Sequence, residues 1–210
     1  MAQFVIHRGL IIAFITVFFS VIFYFAAIPL FTGVLMVGYT CVYTSLPVFS
    51  LVLDRDVSFS NSLFYPELYH PLQAGHALNG RTFLLWVMRS FFQGSVIMLF
   101  TLILFETELH HIVSIAFTAL ILTELFNVCL EVHHFHYMML LSEGFSIVLY
   151  LSSVFLLSAT YFDAAFVFSS PFWVKSFIIA AVANIPVAVM KWIHKLCKPS
   201  MQQKLKDDHQ

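Results

Sequence analysis

Chemistry in this chain has to come from a handful of polar side chains set inside apolar runs. "FVIHRGLII" carries Arg8. An arginine there offers a planar, permanently charged fork to a phosphate or carboxylate, or serves as an interfacial charge whose head snorkels outward. "YTCVYTSLPVFSLVLDRDV" (39–57) sets Thr40, Thr44, Ser45 and Pro47 among apolar residues and ends on Asp54, Arg55 and Asp56. Pro47 cannot donate the backbone bond that residue 43 would accept, so a helix through it kinks or locally unwinds. The freed carbonyl needs a partner, which Thr44, Ser45 or a neighbouring helix can supply. Two readings stand side by side: a packing kink with hydroxyls bonded to their own backbone, or a broken helix lining a polar pathway. Glu124 in "TALILTELFNV" and Glu143 in "MLLSEGFSIV" are carboxyl groups in similarly oily surroundings. Glu124 is expected to face protein or water, either protonated or hydrogen-bonded to Thr123 or Asn127. Asn184 with Pro186 breaks the last apolar run and reads as a packing feature. His133, His134 and His136 in "HHFHY" lack the regular spacing of a helix face, so no metal site is expected there. Walker, nucleophile-elbow and glycine-rich nucleotide motifs are not found in these residues, and no catalytic residue is assigned.

The elements that must position these residues follow from composition. Of 210 residues, 60% are hydrophobic and only 10% charged, with a mean hydropathy of +0.91. A soluble domain carries about 25% charged residues. This chain has too little polar surface to coat itself in water and needs lipid as part of its solvent. A net charge of −1 gives no reason to expect nucleic acid. Cys41, Cys129 and Cys197 lie singly and read as packing residues rather than a disulfide frame. Since a membrane helix needs roughly 20 mostly apolar residues, six spans are expected, at about 5–27, 30–53, 82–105, 112–130, 138–160 and 172–194. The expected fold is an all-α polytopic bundle, with residues 1–196 a single membrane domain and 197–210 a tail. The first apolar run is too long for a secretory signal and lacks a prompt small-residue cleavage pattern. Six spans put both termini on one side. Arg8, Arg55, Arg81, Lys191, Lys195, Lys198, Lys204 and Lys206 fall on that side, and Lys175 on the other. The positive-inside rule then makes both termini and the 54–81 loop cytosolic.

The ordered motifs "FVIHRGLII", "LMVGYTCVYTSLPVFSLVLDRDV", "YPELY", "GRTFLLWV", "FQGSVIML" and "LFETELHHIVSIAFTALILTEL" resemble the C-terminal membrane region of type IV P-type ATPases, the phospholipid flippases. The sequence is most similar to their phospholipid-transporting ATPase II branch, associated in animals with Golgi and endosomal membranes. The likeness runs to about residue 160 and weakens in the last span and tail. It implies that the six spans correspond to the fifth through tenth helices of a ten-helix pump. In that family the fifth helix carries a basic residue important for lipid translocation, and Arg8 sits where it is found. The sixth helix often carries an asparagine a few residues before its proline; Thr40 takes that place here. The Thr44–Pro47 step matches the family's unwound region. The implied lipid-path set is therefore Arg8, Thr40, Thr44, Ser45 and Pro47, and Glu124, Glu143 and Asn184 remain buried polar residues without an assigned role.

The family's phosphorylated aspartate lies in a DKTGT motif that does not occur in these 210 residues. Mg and ATP belong to the actuator, nucleotide and phosphorylation domains of the full-length family, and no cofactor is expected in this chain itself. Its start, "MAQF", reads as a truncated translation, an alternative product or a gene fragment. The implied partners are membrane phospholipid and either the remaining part of the pump or a full-length relative. Two functions are expected to compete: the C-terminal membrane half of an ATP-driven lipid translocase, or a non-enzymatic helical bundle acting as a truncated regulatory or partner-binding product.

Overall fold

The computed structural model describes residues 2–25, 27–52, 80–104, 109–132, 137–157 and 164–197. The 54–81 loop up to residue 79, the histidine run 133–136 and the tail from 198 lie outside the described residues. Within them the chain is helical, without a strand. The elements are α1 (Ala2–Ile22), α2 (Gly33–Val37), a π-helical segment (Gly38–Tyr43), α3 (Ser45–Ser50), α4 (Gly80–Leu104), α5 (Leu109–Glu131), α6 (Tyr137–Leu157), α7 (Ala164–Val167) and α8 (Ser170–Cys197). Five helices, α1, α4, α5, α6 and α8, are long and apolar enough to cross a membrane. The apolar stretch 33–49 is shorter and broken. Apolar side chains all round a helix are what lipid permits, and many large residues of these helices face outward, such as Leu85, Leu140 and Met190.

One helix is treated differently. Of the apolar stretch of α5, 78% is buried, against 28–39% in the other four long helices. Its central residues Ser114, Ala116, Thr118 and Ala119 are small and fully covered, which lets neighbouring backbones approach closely. α8 packs along α5 and α4, α1 along α4, and α6 against the π-helical segment and α3. Phe117 of α5 anchors an aromatic cluster with Phe31, Tyr43 and Tyr150. The Tyr150 hydroxyl lies 2.6 Å from Thr118 Oγ1, tying α6 to α5.

Two local features differ from a simple reading of apolar runs. α1 stops at Ile22, although the apolar run continues, because Tyr24 and Phe25 adopt φ of 52° and 57°. That left-handed turn costs each non-glycine residue roughly 1–2 kcal/mol. It is closed by the Phe25 N–H donating to Ser20 O at 2.7 Å, and Pro29 follows soon after. The second run winds as α-helix, then π-helix, then α-helix, instead of simply kinking at proline. Pro47 is the third residue of α3. In that first turn a backbone N–H has no intrahelical acceptor, so proline costs nothing there.

Candidate functional site in the polar end of the bundle

The π-helical segment is held by the hydroxyls that follow it. Wider winding shifts the backbone pairing by one residue, and side chains take up the displaced carbonyls. Thr44 Oγ1 donates to Tyr39 O at 2.6 Å, and Ser45 Oγ to Thr40 O at 2.7 Å, both spanning five residues. Thr40, which is exposed, donates to Met36 O and Val37 O at 3.0 and 3.2 Å. Arg8 joins this segment to α1: its Nη1 donates to Thr44 Oγ1 at 2.8 Å, and the Tyr39 hydroxyl donates back to Arg8 O at 3.1 Å. Thr44 is 2% exposed, so the half-buried Arg8 bonds a covered hydroxyl. Of the five lipid-path residues expected from sequence, Arg8 and Thr44 are in direct contact. Thr40 lies on the π-helical segment and Ser45 and Pro47 on α3, and the hydroxyls of Thr40 and Ser45 bond backbone carbonyls earlier in the same apolar run.

Behind Arg8 runs a chain of buried polar groups that links four helices. His7 of α1, fully buried, has Nδ1 2.5 Å from Ser90 Oγ of α4 and Nε2 3.2 Å from Asn127 Nδ2 of α5. Gln93 of α4 exchanges amide bonds with Asn127, at 3.1 and 3.2 Å, and donates to Asn184 Oδ1 of α8 at 3.1 Å. Asn184 also donates to Ala180 O at 2.9 Å, one turn back in the helix that contains Pro186. Arg89 of α4 donates to Asn127 Oδ1 at 2.5 Å and to Glu131 at 2.9 Å, and its guanidinium stands 4.9 Å from the centre of the Trp86 ring. Glu131 also pairs with Lys191 of α8 at 2.5 Å. His7 lies in the N-terminal half of α1 and Arg89 and Ser90 in that of α4, Asn127, Glu131 and Lys191 lie toward the C-terminal ends of α5 and α8, and Gln93 and Asn184 stand near mid-helix. Antiparallel packing brings these stretches together.

The expected partners of Glu124 are not the ones it has. Glu124 is 1% exposed, and neither carboxyl oxygen has a hydrogen-bond partner among the described residues. Asn127, one turn on, is drawn into the bonds with His7, Gln93 and Arg89. The Thr123 hydroxyl is itself unpartnered among the described residues. His7 Nε2 lies 3.9 Å from Glu124 Oε1, and the Tyr39 hydroxyl also faces this carboxyl group. Glu143, 8% exposed on α6, has one buried oxygen, Oε1, without a partner among the described residues, and it does not join the four-helix network. Asn184 does join it, through Gln93. Among the described residues no group of three His, Cys, Asp or Glu side chains could hold a metal ion. Cys41 and Cys129 are free thiols, the first of them exposed.

Sequence reading missed His7, Ser90, Arg89, Gln93 and Glu131. A signal was present in the spacing. Trp86, Arg89, Ser90 and Gln93 lie at intervals of three and four, as do Glu124, Asn127 and Glu131. Each set marks one stripe along a helix otherwise facing lipid or core.

A bundle of apolar helices with a polar, arginine-bearing break beside a π-helical turn has the make-up of a membrane transport domain, and comparison with known proteins narrows that class. The chain belongs to the family of phospholipid-translocating P-type ATPases, whose C-terminal model it matches over residues 1–200. It is 46% identical over 205 residues to the probable phospholipid-transporting ATPase tat-5 of Caenorhabditis elegans, which covers 98% of this chain and 19% of that protein. It is 45% identical over 205 residues to the probable phospholipid-transporting ATPase IIB of Bos taurus, covering 98% of this chain and 18% of the relative. Against the phospholipid-transporting ATPase NEO1 of Saccharomyces cerevisiae the figures are 40% over 210 residues, 99% and 18%. The chain thus spans about a fifth of the length of these relatives.

Proposed function

We propose that this chain is the C-terminal membrane half of an ATP-driven phospholipid translocase, providing part of the lipid path and the helices that support it. Arg8, Thr40, Thr44 and Ser45, at the break that precedes Pro47, accompany the headgroup while the acyl tails stay in lipid. The observation that carries this reading is the Arg8–Thr44 hydrogen bond at 2.8 Å. It sets a guanidinium against a broken, hydroxyl-bearing helix whose Thr40 side remains exposed, the kind of irregular backbone that transporters use at their binding sites. Mg and ATP act at domains of the complete pump, and the transported molecule is an aminophospholipid moved from the lumenal to the cytosolic leaflet. Golgi or endosomal membrane is the proposed location, on the likeness to the ATPase II branch. Residues 1–196 form the membrane domain, and both termini, with the 197–210 tail, face the cytosol.

The test uses a complete pump carrying this region. Arg8→Ala is expected to lower lipid-stimulated turnover by tenfold or more, roughly 1.4 kcal/mol or above in transition-state terms, at equal protein level. An arginine that only snorkels to the interface is worth about 1 kcal/mol of membrane binding, and its loss leaves turnover nearly intact. Arg8→Lys keeps the charge but loses the planar fork. Near-normal turnover in the lysine variant, with strong loss in alanine, means that charge alone suffices. Should wild type, Ala and Lys turn over alike, Arg8 is struck from the lipid path.

A further inference from the structure

Hydrogen positions around His7 follow from its neighbours, and among the described residues they leave one buried carboxyl group without a hydrogen-bond donor. Ser90 has a single hydroxyl hydrogen, which goes to Trp86 O at 2.9 Å. At the 2.5 Å contact between Ser90 Oγ and His7 Nδ1, the imidazole is therefore the donor. Asn127 Oδ1 accepts from Arg89 at 2.5 Å and from Gln93 at 3.1 Å, so the Asn127 amide nitrogen is the atom that faces His7 Nε2 and donates to it at 3.2 Å. His7 is thus a neutral imidazole with its hydrogen on Nδ1 and a lone pair on Nε2. That lone pair lies 3.9 Å from Glu124 Oε1.

The other charged or titratable groups that face this site have hydrogen bonds elsewhere, although the buried Arg89 Nε has no partner among the described residues. On α1, Arg8 donates to Thr44, and on the π-helical segment the Tyr39 hydroxyl, which also faces Glu124, gives its one hydrogen to Arg8 O. On α4, Arg89 is taken up by Glu131 and Asn127. On α8, Lys191 pairs with Glu131, the carboxylate at the end of Glu124's own helix. Glu143 lies on α6, outside the network. A carboxylate wholly removed from water and given no donor is strongly disfavoured, whereas a carboxylic acid brings its own hydrogen.

We propose that Glu124 and His7 form a proton-binding site inside the bundle, in which Glu124 rests as the carboxylic acid and His7 Nε2 is the acceptor its proton can reach. Transfer breaks the Glu124 O–H bond and forms an N–H bond at Nε2. It leaves a carboxylate beside an imidazolium and needs no other reactant. The 3.9 Å separation is longer than a hydrogen bond, so the two groups must close up and Asn127 must turn its amide away for this to happen, which strains the links to Gln93 and Arg89. His7 is the chain neighbour of Arg8, so a backbone shift of α1 that draws Arg8 from Thr44 also moves the acceptor relative to the acid. In that respect the inference rests on the lipid-path reading, but the site itself does not.

A complete phospholipid-transporting ATPase carrying this chain as its C-terminal region tests it in two separable ways. Infrared spectra of the purified pump at neutral pH should show a protonated-carboxyl C=O band that disappears in Glu124→Gln and persists in Glu143→Gln. Glu124→Asp, which keeps a carboxyl group, should shift that band rather than delete it, and serves if the glutamine variant does not fold. Identical carboxyl bands in wild type and Glu124→Gln, or an unshifted band in Glu124→Asp, would overturn the proposal. The second readout is the pH profile of lipid-stimulated turnover. Wild type should lose turnover on the alkaline side as the proton leaves, and Glu124→Gln should lack that limb. A shared alkaline limb would equally overturn the site's part in turnover. If wild type shows no lipid-stimulated turnover, the translocase reading fails, and the infrared arm still decides the proton site.

Discussion

Asn127 carries more of this structure than its single place in the sequence suggests. Its amide serves three partners on two helices: His7, Gln93 and Arg89. Asn127→Ala would strand buried donors and acceptors on both, at about 1–3 kcal/mol for groups left unsatisfied. Among the described residues Asn184 bonds Gln93 and its own helix, so Asn184→Ala should cost less, near the roughly 0.6 kcal/mol average for an interhelical bond in a membrane protein. Denaturant titration of the detergent-solubilised protein measures both. Equal losses, or the reverse order, would show that Asn127 is not the hub. Arg8, Thr44 and Glu124 were legible in the sequence because a charge or hydroxyl inside an oily run is conspicuous by itself. The network was not, since its partners lie far apart: 83 residues separate His7 and Ser90, and 120 separate His7 and Asn127. Only folding reveals which polar stripe meets which. For the same reason the sequence neighbours of Glu124 are not its partners, because helix geometry turns Asn127 toward α4 and α1.

Hydropathy marks the long helices because lipid demands an unbroken apolar surface of nearly fixed length. It says little about how closely two such helices approach. α1 and α4 meet at Gly94, where an added Cβ would stand 3.0 Å from Phe14 Cβ, 3.3 Å from Ile11 O and 3.4 Å from Ile15 N. Two of those three atoms are backbone and cannot swing aside, so Gly94→Ala must push the helices apart by a few tenths of an ångström. The expected loss is about 1–3 kcal/mol, the usual range for overpacking. Gly144 in α6 provides the opposite case, with nothing within 4 Å of the added carbon. There alanine should be neutral or stabilising by up to about 1 kcal/mol, from helix propensity alone. The same unfolding measurement distinguishes them by sign, and a destabilised Gly144→Ala with a tolerated Gly94→Ala would refute the packing. The winding of the second apolar run was legible only in part. Pro47 announced a break, but the π-helical turn is set by hydroxyl bonds reaching five residues back and by Arg8 arriving from another helix. Gly38 belongs to that turn as well: a Cβ there would come within 2.9 Å of the Tyr43 ring.

Across the whole molecule, charge is distributed toward one end. Arg8 and Arg89 lie in the N-terminal halves of α1 and α4, and Glu131 and Lys191, joined to Arg89 in one ion-pair cluster, lie toward the C-terminal ends of α5 and α8. At the other end Lys175 of α8 donates to Leu104 O, the last carbonyl of α4, at 3.3 Å. The sequence extends the same bias, with Arg55, Arg81, Lys195, Lys198, Lys204 and Lys206 falling on the first side by span order. Basic residues in short loops resist transfer across the membrane and set orientation during insertion. Both chain ends and the 54–81 loop are therefore expected on the cytosolic side. Glycosylation acceptors introduced at 106–111 and 161–171 should be modified, and acceptors within 54–81 should remain bare. Such a pattern also fixes the parity of the second apolar run. If the broken 33–50 stretch did not cross the membrane, 54–81 would share a side with the 23–32 turn, and acceptors at both would respond alike. Modification at 54–81, with none at 161–171, would reverse the orientation. It would also leave Arg8 and the polar network at the lumenal face, where they could not serve the path proposed for them.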